Sequence, residues 1–152
     1  MHYEDLSEYK YYLTKPLKNV INIGWLNSVS SHTEKPFYKS EGFLLKLKDI
    51  IIGNSVVNAH VNLVRSTEPC LVSGCEPIWI ENDESKCCLG ASEIWIPTTK
   101  KGFYFASPSM IYHYISDHNY IPPKAYIDAV IRFDLAKKYN AQKIYLIESN
   151  KK

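Results

Sequence analysis

Long apolar runs are missing from this 152-residue chain: its longest aliphatic stretch is Ile50-Ile51-Ile52, whereas a membrane-spanning helix needs roughly 18 apolar residues. A dominant charge is missing as well. Lysine and arginine total 18 against 16 aspartates and glutamates, a net +2, so the cationic excess with which proteins displace counterions from phosphate backbones is absent. There is no G-x-S-x-G elbow, Walker glycine loop, dinucleotide fingerprint or H-E-x-x-H pair. The opening Met1-His2-Tyr3-Glu4-Asp5-Leu6 has no basic stretch leading into an apolar one, so the expectation is a cytoplasmic protein with reduced cysteines. No repeat or low-complexity linker divides the chain, and residues 1–152 read as a single domain.

What is present is a balanced globular composition, 45% hydrophobic and 13% aromatic. A chain of this size buries roughly 68–70% of its unfolded surface and needs no staple to form a core. The first 25 residues read as short extended segments. Phe43, Leu44, Leu47, Ile50 and Ile51 form the stripe of an amphipathic helix that Gly53-Asn54 stops, with Lys46, Lys48 and Asp49 on its solvated face. Val56–Val64 reads as a strand or a bent pair of strands. Ile78–Ile80, Glu93–Ile96 and Phe103–Phe105 follow, the last two as a hairpin around Gly102. Glu81–Ser85 reads as an exposed acidic loop.

Ser107-Pro108 predicts a helix start, with Met110, Ile111, Tyr114 and Ile115 buried and an end near Asp117–Asn119. Pro122-Pro123 opens another helix, with Ile127, Val130 and Ile131 on one face, running to about Asn140. Lys143–Glu148 alternates as a terminal strand. The fold class is therefore α+β, a mainly antiparallel sheet with about three helices.

Chemistry concentrates in the cysteines and histidines. Cys70 and Cys75 form a C-x4-C flanked by Pro69 and Pro77, and His113 and His118 form an H-x4-H at a helix end. Both spacings suit zinc, and together they make a closed Cys2His2 set that is structural rather than catalytic. Against this stands the plain alternative of packed thiols, since cysteine is often buried, and of His118 as a cation favoured by a helix C-terminus. Cys87 and Cys88 read as the end of the acidic loop and the start of a strand. His60-Val61-Asn62 with Pro69-Cys70 invites comparison with zinc deaminases, but their essential glutamate is replaced by Asn62, which cannot shuttle protons. Tyr3, Tyr9, Tyr11 and Tyr12 crowd the N-terminus, and residues 68–93 hold six acidic side chains against Lys86 alone. Such an aromatic and acidic composition fits either a core with a solvated loop or a surface for a partner protein.

Tyr3-Glu4-Asp5-Leu6-Ser7, Ile23-Gly24-Trp25-Leu26, Leu89-Gly90-Ala91-Ser92-Glu93-Ile94, Tyr104–Pro108, Ile111–Ile115, His118-Asn119-Tyr120 and Pro122-Pro123 resemble the blocks of a family of small, uncharacterised bacterial cytosolic proteins. The resemblance spans residues 3–131, leaving 132–152 as a C-terminal extension. It implies a metal knuckle built from a histidine followed by C-x-x-C and completed by the helix histidines. Here Cys70 and Cys75 match those cysteines with two extra residues between them, and Glu68 stands where the histidine falls. No activity is carried over.

The expectation is thus a non-enzymatic binding protein of immunity or antitoxin type that engages another protein, with zinc on Cys70, Cys75, His113 and His118. A second reading is a metal-dependent hydrolase or transferase with Cys70, His113 and His118 as ligands and Glu93 as general base. A third is nucleic-acid binding through Lys35, Lys39, Lys46 and Lys48, with steep salt dependence.

Overall fold

The computed structural model describes residues 2–11, 13–26, 41–70 and 77–151. Within them a five-stranded sheet forms from β1 (Glu8–Tyr9), β2 (Leu17–Asn22), β4 (His60–Val61), β7 (Glu93–Pro97) and β8 (Tyr104–Pro108), in the order β1-β2-β8-β7-β4. Only the β2–β8 pairing is parallel; the other three are antiparallel. Two small ribbons join it: β3 (Val57–Asn58) with β9 (Tyr139–Asn140), and β5 (Trp79–Glu81) with β6 (Lys86–Cys88). The helices are α1 (Glu41–Ile52), α2 (Ile111–His118), α3 (Lys124–Arg132) and α4 (Ala141–Ser149). This is a single α+β domain with a mostly antiparallel sheet. Among the described residues no helix is long and apolar enough to cross a membrane.

The sheet is covered on both faces, and the two-residue period of its strands sorts side chains between them. Ile94, Ile96 and Phe105 join the larger core with Phe43, Leu47, Ile50 and Ile51 of α1, Ile111, Tyr114 and Ile115 of α2, and Tyr126 and Val130 of α3. Val20, Val61, Trp95 and Ala106 lie in a second core beneath Ala141, Ile144 and Tyr145 of α4. A left-handed residue, Gly53 at φ 77°, ends α1 by donating its N–H to the Asp49 carbonyl. The acidic loop is the exposed turn of the β5–β6 ribbon, where the Asn82 carboxamide accepts from the Glu84 and Ser85 N–H groups.

Three local expectations are corrected. Ser107-Pro108 does not open a helix: β8 runs through Pro108, which faces Glu93 across the hairpin, and α2 starts at Ile111 with no side-chain cap on Met110. Pairing along β7 outweighs the local capping preference, and proline sits at a strand end where it is tolerated. The helix after Pro122-Pro123 ends at Arg132, not near Asn140, and buries Tyr126, Ala129 and Val130, while Ile131 faces solvent. Lys143–Glu148 is not a strand but part of α4, the fourth helix among the described residues. Ala141, Ile144, Tyr145 and Glu148 recur at helical spacing toward the sheet, and the Asn140 side chain caps the helix by accepting from the Lys143 N–H at 3.1 Å.

Candidate metal centre

The segment that carries Cys70 is pinned by backbone. Val64 N–H donates to the Ala91 carbonyl and Glu68 N–H to the Gly90 carbonyl, at 2.8 and 2.9 Å. Gly90 N–H in turn donates to Ser109 Oγ at 2.8 Å, and Ser109 N–H to the Ser92 carbonyl at 3.0 Å. Gly90 is required here: it sits at φ +98°, and a Cβ on it would collide with the Glu68 carbonyl. These bonds lock the Cys70 segment, the Gly90 turn and the entry to α2 into one unit. Helix α2 then runs to Asn119, which closes it in the left-handed conformation at φ 56°.

At that end three ligand atoms meet. Cys70 Sγ lies 3.3 Å from His118 Nε2, which lies 3.1 Å from His113 Nε2, and the three atoms fall within 4.8 Å of one another. Cys70 and His113 are buried and His118 is half-buried. A tetrahedral zinc with bonds of about 2.0–2.1 Å to nitrogen and 2.3 Å to sulfur separates its ligands by about 3.4 Å (N to N) and 3.6 Å (S to N). The observed pairs fall just inside those spacings. His113 Nδ1 faces Asp117 Oδ2 at 3.3 Å, the outer carboxylate contact that fixes a metal-binding imidazole with Nε2 toward the ion. Burial pushes the His113 imidazole below its ordinary value, favouring the neutral ring that ligates. The cluster has the donor set and spacing to hold a metal ion.

Of the four ligands expected from sequence, three converge, and Cys75 lies outside the described residues, as do Lys35 and Lys39. Cys87 and Cys88 are not in the cluster; they sit half-buried in β6, with Cys87 packed against the larger core. His60 is a satisfied structural histidine. Its Nε2 donates to the Ile51 carbonyl at 2.6 Å, which leaves Nδ1 to accept from the Ser92 hydroxyl.

Glu93 does not serve the cluster either. Buried in the sheet, it accepts through Oε1 from the Tyr9 hydroxyl at 2.6 Å and Trp95 Nε1–H at 3.2 Å, and through Oε2 from Asn62 Nδ2–H at 3.0 Å. Burial pushes its carboxyl above the ordinary value even though all three donors pull it down. The expectation of a general base for hydrolysis gives way to a hydrogen-bonded group held by Tyr9 of β1, Asn62 just after β4 and Trp95 of β7. Sequence reasoning missed its partners; the crowding of tyrosines around Tyr9 was the one available hint.

No curated protein and no solved structure matches the chain. A family model does, over residues 1–131, a span that contains Cys70, His113, His118 and Glu93 and stops short of β9 and α4. The chain belongs to that family, a domain of unknown function designated DUF7919.

Proposed function

We propose that this chain is a non-enzymatic binding protein stapled by zinc, with Cys70, His113 and His118 as ligands, acting in the cytoplasm on another protein in the manner of an immunity or antitoxin protein. The convergence of one sulfur and two imidazole nitrogens within 4.8 Å carries the reading. Zinc is the ion whose bond lengths, borderline softness and tetrahedral preference suit one thiolate and two imidazoles. Its role is structural: it ties the segment after Pro69 to the last turn of α2, and the C-x4-C spacing supplies Cys75 as the ligand that closes the tetrahedron.

A structural role is favoured over hydrolysis because Glu93, the base that hydrolysis would use, lies outside the cluster of ligand atoms and is bonded instead to Tyr9, Trp95 and Asn62. The β5–β6 ribbon supports a protein partner. It exposes Trp79 at 59%, with Lys86 Nζ 5.2 Å from its ring centroid, on the same ribbon as Glu81, Asp83 and Glu84, and an exposed indole of this kind anchors protein interfaces.

Elemental analysis of the full chain purified without an affinity tag, followed by titration with Co(II), tests the metal. One equivalent of zinc and a thiolate-to-cobalt absorption band are expected, both lost in Cys70→Ser. Purified protein without stoichiometric metal, and no cobalt band, would refute the centre. For the partner, the Trp79→Ala variant should lose a specific polypeptide that the wild type retains in pull-downs from the native host; recovery of chaperones alone counts against a dedicated partner.

A further inference from the structure

A cavity of about 240 Å³ opens beside the sheet, between the aromatic N-terminal segment and the Gly90 turn. Its wall includes Tyr11 and Trp25, which stack with ring centroids 5.5 Å apart at 25°. Tyr3 braces that pair edge-on, 6.4 Å from Tyr11 and 5.6 Å from Trp25. Two carboxylates, Glu93 and Glu68, also line it, together with Asn62. Among the described residues that line the cavity there is no lysine, arginine or histidine.

We propose that this cavity binds a small organic cation, an amine or guanidinium compound, with Glu93 as its counter-charge and the Tyr11–Trp25 stack as its aromatic wall. The inference goes beyond the zinc reading and does not rest on it. Glu93 is 4% exposed and is held only by neutral donors. A buried carboxylate without a cation is costly, and an occupant bearing positive charge is what removes that cost. Asn62 donates through Nδ2 to Glu93, which leaves its Oδ1 to accept an N–H from the guest. Glu68, on the exposed rim, adds a second negative charge that draws cations inward. Tyr11 and Trp25, stacked on each other, line the same cavity as Glu93, and aromatic π-density near a carboxylate attracts alkylammonium and guanidinium groups.

Size narrows the class. At about 30 Å³ per water the space equals about eight waters, enough for a ligand of about eight to ten non-hydrogen atoms rather than a peptide or nucleotide. Because burial raises the Glu93 carboxyl, a cation also binds more tightly as pH rises through that raised value, releasing a proton as the carboxylate forms.

The test uses three probes of one shape and different charge: benzylammonium, benzyl alcohol and benzoate, with agmatine as a guanidinium probe. Each is titrated into the full chain as purified and followed by calorimetry and by the indole N–H resonance of Trp25. Saturable binding of benzylammonium or agmatine is expected, at least about tenfold tighter than either uncharged or anionic analogue, the worth of one hydrogen-bonded ion pair. Glu93→Gln, which still accepts from Tyr9 and Trp95 through Oε1 once Asn62 turns its carboxamide to accept from the new amide, should weaken it by at least about tenfold while the circular dichroism stays unchanged. Should that variant fail to fold, the pH series on the wild type decides. Cation affinity must rise with pH while that of benzyl alcohol stays flat. Absence of cation binding, equal affinity for all three probes, or affinity independent of pH would overturn the proposal.

Discussion

Replacing Tyr9 by phenylalanine removes one oxygen and leaves the ring. Tyr9 is completely buried, and its ring meets Trp95 edge-on at 5.1 Å, a contact phenylalanine retains. What goes is the 2.6 Å hydrogen bond to Glu93 Oε1, after which that oxygen keeps only the longer bond from Trp95. A hydrogen bond to a charged group contributes about 1.5–3 kcal/mol. At about 2–4 °C per kcal/mol for a domain of this size, the melting temperature should fall by about 3–12 °C.

The sign of the pH dependence sharpens the test. The Tyr9 hydroxyl favours the ionised carboxylate, so the loss in Tyr9→Phe should grow as pH rises and the carboxyl deprotonates. Urea unfolding of wild type, Tyr9→Phe, Glu93→Gln and the double variant at several pH values gives both the loss and the coupling between the two residues. A loss below about 0.5 kcal/mol, within the range of an ordinary surface change, would refute the reasoning. So would a loss that is larger in acid than at neutral pH.

Glu93 itself imposes a second pH dependence. Its folded-state carboxyl is raised by burial, so its contribution is full below the ordinary glutamate range near about 4.3 and is lost as pH rises through the raised value; wild type should therefore lose stability relative to Glu93→Gln across that window, read by thermal melts from acid to neutral pH. Leu47→Ala, at a fully buried position on α1, should cost about 2–5 kcal/mol; urea unfolding measures it, and less than about 0.5 kcal/mol would mean the helix face does not pack. Gly90→Ala should cost at least about 1–3 kcal/mol through its positive φ and, on the metal reading proposed above, weaken cobalt binding, because the Glu68 carbonyl it displaces lies next to the Cys70 segment; cobalt titration beside a thermal melt reads both. Asn140→Ala should cost about 1 kcal/mol by removing the α4 cap, and an unchanged unfolding midpoint would contradict the capping assignment.

Sequence by itself determined the elements whose local pattern is also their tertiary environment. The α1 stripe from Phe43 to Ile51 is legible because each residue spaced along one face enters the same core. The β7–β8 hairpin is legible because its turn ends in Gly102, which takes φ +85°. The C-x4-C and H-x4-H spacings pointed to Cys70, Cys75, His113 and His118, of which Cys70, His113 and His118 come together among the described residues.

Tertiary structure decided what depends on which surface a segment meets. Ser107-Pro108 has the local signature of a helix start, yet pairing with β7 continues through it because a strand there fills the hydrogen-bonding row opposite Glu93. Lys143–Glu148 alternates well enough for a strand, yet the segment folds as α4 because Ala141, Ile144 and Tyr145 together join the core around Trp95, and only a helix places them on one side. The partners of Glu93 come from β1, the residue after β4, and β7, as many as 84 residues away in the chain. No local spacing encodes such a meeting, since the free energy that holds it arises only when the sheet assembles and water leaves the carboxylate.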